Sequence, residues 1–336
     1  MPTRRGVSRW RDLENATGRI ALFHIARIIR YLPPQWLPAL GRGSGDFVRA
    51  VSWVHRRRVM NNLEIAFGRE KTPAELRSIA RESYRHLGMN LLEFLRMPIM
   101  TPAEIDGRVT VVDGENLDAG LKRGKGVVLF TAHLGNWELA GAKLALIGYP
   151  INVIARDQAD ERTARLFRHL RESCGLRVIP SRTAVRASLR CLRRNEVVCI
   201  LGDINAGTRG VFVDFFGKLA STVAGPAALA MRTGAAVVPS FCTRLPNDHH
   251  IGRCWEPIIL DTTGDWDSDV IRHTAALTKL IEQQIRREPE QWYWLHRRWK
   301  TRPPWEGGNG PVAHRRARVA QRPAQEQPCS KASSAS

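Results

Sequence analysis

From about residue 108 the chain alternates short β-rich runs with helix-like stretches, and few architectures accommodate that rhythm. The runs fall at 109–112, 127–132, 151–155, 177–180, 197–201, 236–242 and 251–260, with helical patterns at 137–147, 158–174, 182–194 and 225–233. Such alternation predicts an α/β fold with a mostly parallel central sheet covered by helices, because parallel neighbours need a crossover long enough to bring the chain back. Further helices are expected at 269–288 and just before residue 299, closing the domain. No internal repeat is visible.

Ahead of this domain the pattern is helical. Residues 47–67 read as one helix and 73–96 as another. The second opens with Thr72, Pro73 and Glu75, a capping box with proline at the first helical position. Its apolar positions Leu76, Ile79, Ala80, Tyr84, Leu87, Leu91 and Leu95 recur at helical spacing. The expected organisation is therefore a helical region over 1–100, an α/β domain over 101–305, and a disordered basic tail over 306–336, where Gly, Pro, Gln, Ala and Ser dominate.

The 336 residues carry 52 Lys+Arg against 32 Asp+Glu, a net charge of +20. The excess sits at the ends: residues 1–58 hold twelve Arg and three acids, and 286–336 hold eleven Lys/Arg and four acids. This suits nucleic acid, an anionic membrane surface or an acidic partner protein, and charge alone does not choose. Apolar residues at 43% exclude wholesale disorder. No run approaches the roughly 18 uninterrupted apolar residues of a spanning helix, and the opening residues do not read as a secretory signal. Six cysteines at irregular spacing, with no C-x-x-C pair, read as reduced thiols in a cytosolic setting, without disulfides or zinc. The stretch Ile20–Leu32, apolar but interrupted by Arg27 and Arg30, reads either as an interfacial helix with cations toward headgroups or as a helix packed on the domain.

The sharpest chemical feature lies at 126–146. A buried run, Val127 to Phe130, leads into His133, then Gly135, Asn136 and Trp137, with Glu138 opening a helix. The carboxyl end of a strand in such a sheet is where ligands bind. Five helical steps amount to about 140°, so His133 and Glu138 would not share one helix face. They can meet if His133 lies in the turn and Glu138 in the first helical turn, the carboxylate holding one ring nitrogen and leaving the other to accept a proton. The alternative is a turn histidine and a dipole-complementing glutamate.

HLGNWE after an apolar strand resembles the H-x4-D/E motif of glycerolipid acyltransferases, and more narrowly the bacterial lipid A biosynthesis acyltransferase family. Further blocks match in chain order: MNNLEIAFG (60–68), VIARDQADERTARLFRHLRESCG (153–175), LGDINAGTRGVFVDFFGKLASTVAGPAALA (201–230) and PEQWYWLHRRWKTRP (289–303). The resemblance spans roughly 20–305. It implies His133 as general base with Glu138 as its orienting partner, and substrate-binding roles for Arg171, Arg156, Asp203 and Asn136. Arg171 matches the family's site arginine better than Arg156. Asp203 would orient Arg171 or a second catalytic group. Two departures stand out: Ile204 follows Asp203 where the family commonly has Gln, and the amino-terminal apolar stretch is shorter than usual.

The implied chemistry is direct transfer of an acyl group from a thioester to a hydroxyl, the oxyanion held by backbone N–H groups around Leu134 to Asn136 or by an arginine. No metal or other cofactor is implied. The implied partners are acyl carrier protein as donor and an anionic glycolipid, a lipid A precursor, as acceptor, at the cytoplasmic face of the inner membrane. A lysophospholipid, an ornithine-type lipid or another glycolipid as acceptor, or acyl-CoA as donor, would keep the same chemistry. Phe212, Phe215, Phe216 and Gly217 read either as an acyl groove or as core. Trp292 and Trp294 read as core, and Arg297 and Arg298 as interfacial. A nucleic-acid-binding role lacks any helix-turn-helix, zinc, RNP or KH signature, and a dead membrane scaffold would have no use for the histidine–glutamate pair.

Overall fold

The computed structural model describes residues 22–155 and 160–307. Arg156, Cys329 and nearly all of the tail fall outside those residues, as do Ile20 and Ala21.

Seven strands form the central sheet: β1 (Val109–Val112), β2 (Val127–Thr131), β3 (Ile151–Ala155), β4 (Arg177–Pro180), β5 (Val197–Leu201), β8 (Ala236–Arg244) and β9 (His250–Cys254). They lie in the order β1-β9-β8-β2-β5-β3-β4. All neighbours are parallel except β8 and β9, joined by a tight antiparallel turn. The mostly parallel α/β sheet expected from the alternation is thus present, and each expected run holds a strand, although the run 251–260 is strand only as far as Cys254. A hairpin of β6 (Val211–Phe215) and β7 (Lys218–Thr222) stands apart from the sheet. It was not expected from periodicity.

Helices cover both faces because both faces of the central strands are apolar. Along β2, Val128 and Phe130 enter one core cluster while Val127 and Leu129 enter the other, as alternation along a strand dictates. The first cluster is closed by α2 (Trp53–Phe67), α9 (Gly225–Thr233) and α10 (Trp266–Arg287); the second by α4 (Pro102–Arg108), α5 (Glu115–Leu121), α6 (Trp137–Leu146) and α7 (Glu161–Glu172). The long helix α3 (Pro73–Arg96) contributes to both. Its Thr72 capping box forms as expected, each half of the pair meeting the other's backbone N–H.

Residues 47–67 are not one helix. The chain forms α1 (Leu37–Val51) and α2, broken at Ser52, whose ψ of 81° departs from helical geometry. α1 packs on α3 through Gly88, where a Cβ would stand 2.1 Å from the Gly41 carbonyl oxygen. The expected helix before residue 299 is a single 3-10 turn, Pro289–Gln291, followed by irregular chain. Residues 22–28 are helical and lead into a 3-10 turn, Ile29–Tyr31. Ile29 is buried there, its carbonyl accepting from Arg96 Nη1 at 3.1 Å. Phe23, Ile25, Ile28 and Tyr31 are exposed. Among the described residues no helix is long and apolar enough to cross a membrane. The five described cysteines are free, four of them buried.

Candidate active site

The site forms at the carboxyl edge of the parallel strands. β2 and β5 are in register with Thr131 opposite Leu201. Two residues further along each strand direction stand His133 and Asp203. The Asp203 carboxylate accepts from the His133 backbone N–H at 2.9 Å and meets the ring Nδ1 at 2.8 Å. Trp292 Nε1 donates to its second oxygen at 2.7 Å. Burial alone would raise the pKa of Asp203, but the charge and hydrogen bonds of His133, and the Trp292 indole, hold it down at about 2. An ionised carboxylate on Nδ1 fixes the tautomer with the proton there and turns Nε2, bare of hydrogen, to the opposite side of the ring.

The ring is held by aromatic neighbours. Trp137 meets it edge-on at 4.9 Å between centroids, and Tyr293 lies at 6.1 Å. Tyr293 also donates its backbone N–H to the His133 carbonyl at 3.0 Å, part of a clamp by the 289–294 segment, which also takes the Gly135 N–H on the Gln291 carbonyl at 3.0 Å. A quarter of the His133 side chain remains accessible.

Glu138 is not the partner of the histidine. Its carboxylate is gripped by Arg171, with Nε at 2.9 Å from Oε2 and Nη2 at 2.5 Å from Oε1. The placement follows from the helix: Glu138 is the second residue of α6, and Arg171 sits in the last turn of α7 with its guanidinium over the Phe94 ring at 5.3 Å. Burial works to lower the pKa of Arg171, but the Glu138 charge raises it above the ordinary value. Asp203 does not orient Arg171: both its oxygens are committed to His133 and Trp292, so of the two groups it was expected to orient, Arg171 or a second one, it holds the second, the histidine.

Asn136, expected to bind substrate, turns its side chain to the interior. It is buried, caps α6 by accepting from the Leu139 N–H at 3.1 Å, and donates to Glu93 Oε2 at 2.7 Å. Behind it lies a network that the sequence did not reveal. Arg244, at the end of β8, binds both oxygens of Glu93, with Nη1 to Oε1 at 3.0 Å, and reaches Asn90 Oδ1 at 3.1 Å. Asn90 in turn donates to the Gly135 carbonyl at 2.6 Å. Burial would raise the Glu93 pKa, but His250 and Arg244 hold it at about 2. The one available signal was a glutamate inside the apolar run Leu91–Leu95.

The backbone donors expected to hold an oxyanion are partly engaged: the Leu134 N–H bonds the Ala132 carbonyl at 2.8 Å and that of Gly135 bonds Gln291. Gly135 itself has φ +56°, and a Cβ there would stand 2.1 Å from the Cys242 carbonyl. Asn205, next but one after Asp203, ties its loop to the closing segment. Its N–H donates to His296 Nε2 at 2.7 Å and its amide to Thr301 Oγ1 at 3.1 Å. Phe215 and Phe216 are buried core, packed on Trp292, Trp299 and Phe67, so they do not line an open groove. Trp292 and Trp294 are core as expected. Arg298 is not interfacial: it is fully buried and donates to the Ser221 carbonyl and Thr222 Oγ1, both at 2.6 Å. Burial pushes its pKa down to about 10, against the pull of Asp203. Among the described residues no cluster of His, Cys, Asp or Glu could hold a metal ion.

The chain is thus an α/β protein with a His133–Asp203 pair at the carboxyl edge of its mostly parallel sheet. More particularly, the chain belongs to the bacterial lipid A biosynthesis acyltransferase family, whose model matches residues 13–301. It is an acyltransferase of that family. It is 32% identical over 233 residues to a phosphatidylinositol mannoside acyltransferase of Mycobacterium tuberculosis, covering 68% of this chain and 71% of that one. It is 29% identical over 283 residues to the lipid A biosynthesis lauroyltransferase of Escherichia coli, covering 82% and 89%. The palmitoleoyltransferase of lipid A biosynthesis in the same organism is 26% identical over 274 residues, covering 81% and 87%.

Proposed function

We propose that the protein moves a fatty acyl group from an acyl-carrier-protein thioester to a hydroxyl of an anionic membrane glycolipid, with His133 as general base. The observation that carries this reading is the 2.8 Å contact of His133 Nδ1 with an ionised, buried Asp203. Nε2 takes the proton of the acceptor hydroxyl as its oxygen attacks the thioester carbonyl. The C–O bond forms, the C–S bond breaks, and the departing thiolate takes the proton back from the imidazolium. Asp203 stabilises the transient positive ring. The N–H groups that open α6, at Trp137 and Glu138, have no intrahelical acceptor and follow His133 by four and five residues; the oxyanion is assigned to them. Glu138 and Arg171 fix that first turn.

The acceptor is a lipid A precursor, acylated at the cytoplasmic face of the inner membrane. The exposed Phe47, Val51, Trp53 and Val54, followed by Arg56, Arg57 and Arg58, support an interfacial seat, with apolar side chains in the acyl boundary and cations at the headgroups. A second reading places the acyl group on a mannosylated phosphatidylinositol; the 32% identity to an enzyme named for that lipid favours it. Both acceptors are anionic glycolipids, and +20 of net charge suits either one and an acidic carrier protein.

The test uses the full chain in detergent with radiolabelled acyl-carrier-protein thioesters. A tetra-acylated Kdo-lipid A precursor and a phosphatidylinositol dimannoside serve as parallel acceptors. Label is expected in the lipid A precursor, and is lost in His133→Ala. Label only in the mannoside keeps the mechanism and replaces the acceptor. Undiminished transfer by His133→Ala overturns the assignment of the base.

A further inference from the structure

A second feature lies beside the catalytic clamp and plays no part in the chemistry above. Between α2 and the closing segment runs an open cleft of about 490 Å³. Four cations line it, Arg57, Arg58, Arg297 and Lys300, and no carboxylate does. Among the described residues none of the four forms an ion pair; Arg58 donates to the Leu295 carbonyl at 3.2 Å and Arg57 lies over the Trp53 ring at 5.9 Å. Burial and the neighbouring Arg297 both push the pKa of Arg58 below its ordinary value. Like charges gathered with no counter-charge are unfavourable in the empty protein and favour an anion between them.

The cleft is continuous with apolar surface. Trp53 and Val54 line it and are also about 60% exposed (62% and 59%), at the end of the apolar stretch that begins at Phe47. Its other wall is tied to the active site. Asn62 donates to the Trp294 and His296 carbonyls at 2.8 and 2.7 Å, and Tyr293, one residue earlier, bonds His133. An occupant must therefore offer an anionic group to four cations and an apolar body to Trp53 and Val54, next to the acyl-transfer site.

We propose that this cleft binds the phosphate of an anionic membrane lipid presented from the bilayer. The proposal rests on the interfacial seat described under the proposed function. Arginine suits a phosphate because its planar fork matches two phosphate oxygens at once, and the indole of Trp53 suits the headgroup level.

The test is binding of the full chain to phosphatidylcholine vesicles containing phosphatidate, against vesicles brought to the same surface charge with oleate. Wild-type protein should prefer phosphatidate at least fivefold. Arg297→Gln/Lys300→Gln, two exposed positions, should lose that preference and bind phosphatidate vesicles roughly tenfold more weakly. Arg190→Gln/Arg193→Gln on α8 (Ala184–Arg193) removes the same charge elsewhere and should keep the preference. Equal binding to both vesicles, or equal effects of the two double variants, overturns the proposal. So does full release of the wild type by 10 mM inorganic phosphate, which would make free phosphate the ligand. Loss of acyl-carrier-protein binding with vesicle binding intact would assign the cleft to an acidic protein instead. Because binding is read without turnover, a protein that prefers phosphatidate but transfers no acyl group refutes the proposed reaction and leaves this site standing.

Discussion

Asp203 holds His133 twice, by the ring Nδ1 at 2.8 Å and by the backbone N–H at 2.9 Å, across the seam between β2 and β5. The double contact fixes both where the ring stands and which nitrogen carries the proton. Asp203→Asn keeps the shape but presents an amide that can turn its NH2 to Nδ1 and so favour the wrong tautomer. We expect kcat to fall by about 10²–10⁴-fold with KM for the acceptor little changed. Steady-state kinetics against both substrates check this, and a variant within threefold of wild type would remove Asp203 from the mechanism.

Glu138 and Arg171 form a bidentate pair with side chains 11% and 18% exposed. Removing one partner leaves the other charge poorly solvated. Glu138→Gln and Arg171→Gln should each cost about 1–3 kcal/mol of stability, and the double variant much less than their sum. A double-mutant cycle on urea midpoints measures the coupling. If activity in the double variant recovers along with stability, the pair positions the first turn of α6 and no more. If activity stays low, the arginine's charge also serves the reaction.

How far the sequence reaches is visible at these residues. The alternating runs gave the strands, and Thr72, Pro73 and Glu75 gave the start of α3 to the residue, because caps are local chemistry. HLGNWE located the edge of the sheet at which the proposed base stands. The partnership of His133 with Asp203 spans 70 positions and depends on which strands are neighbours, which no periodicity records. A carboxylate five residues away was the nearest candidate, yet α6 carries it toward α7. Helix α1 went unread ahead of residue 47: that part holds Gly41, Gly43 and Gly45, weak helix formers, of which Gly41 and Gly45 serve close packing against α3. The break at Ser52 has no proline or glycine to mark it. The 211–222 hairpin turns on Phe216 and Gly217, both at positive φ (56° and 72°), and a phenylalanine there is no turn signal.

The acid limb of stability should carry the signature of the buried carboxylates. Asp203 and Glu93 are both held at about 2, below their ordinary values of 3.8 and 4.5. Each therefore contributes stability that is fully present above its unfolded-chain value and lost as pH falls toward 2. The contribution is roughly 2–3 kcal/mol apiece. His86, pushed down to about 3 by burial and then by Arg244, adds a loss of the same sign that begins near pH 6.5, since the unfolded chain takes up the proton first. Urea midpoints from pH 7 to 3 should fall throughout. Asp203→Asn should be less stable than wild type at pH 7, and the gap should narrow at pH 3. A constant gap would show that Asp203 gains nothing from its charge.

Glu93 and Arg244 tie the far side of the loop that carries His133 to the core, each with a side chain only 1% exposed. Glu93→Gln strands a buried guanidinium and should cost about 3–5 kcal/mol. It also loosens Asn136, whose amide donates to Glu93, and through Asn90 the Gly135 carbonyl. Glu93→Gln/Arg244→Met replaces the charged pair by neutral groups and should recover most of that stability. It cannot restore the tether, because the methionine offers Asn90 no donor. The expected result is a double variant of near-normal urea midpoint whose kcat is still reduced by about tenfold or more, since a loop displaced by even 1 Å moves Nε2 off the line of proton transfer. Recovery of activity together with stability would make the network a matter of folding alone.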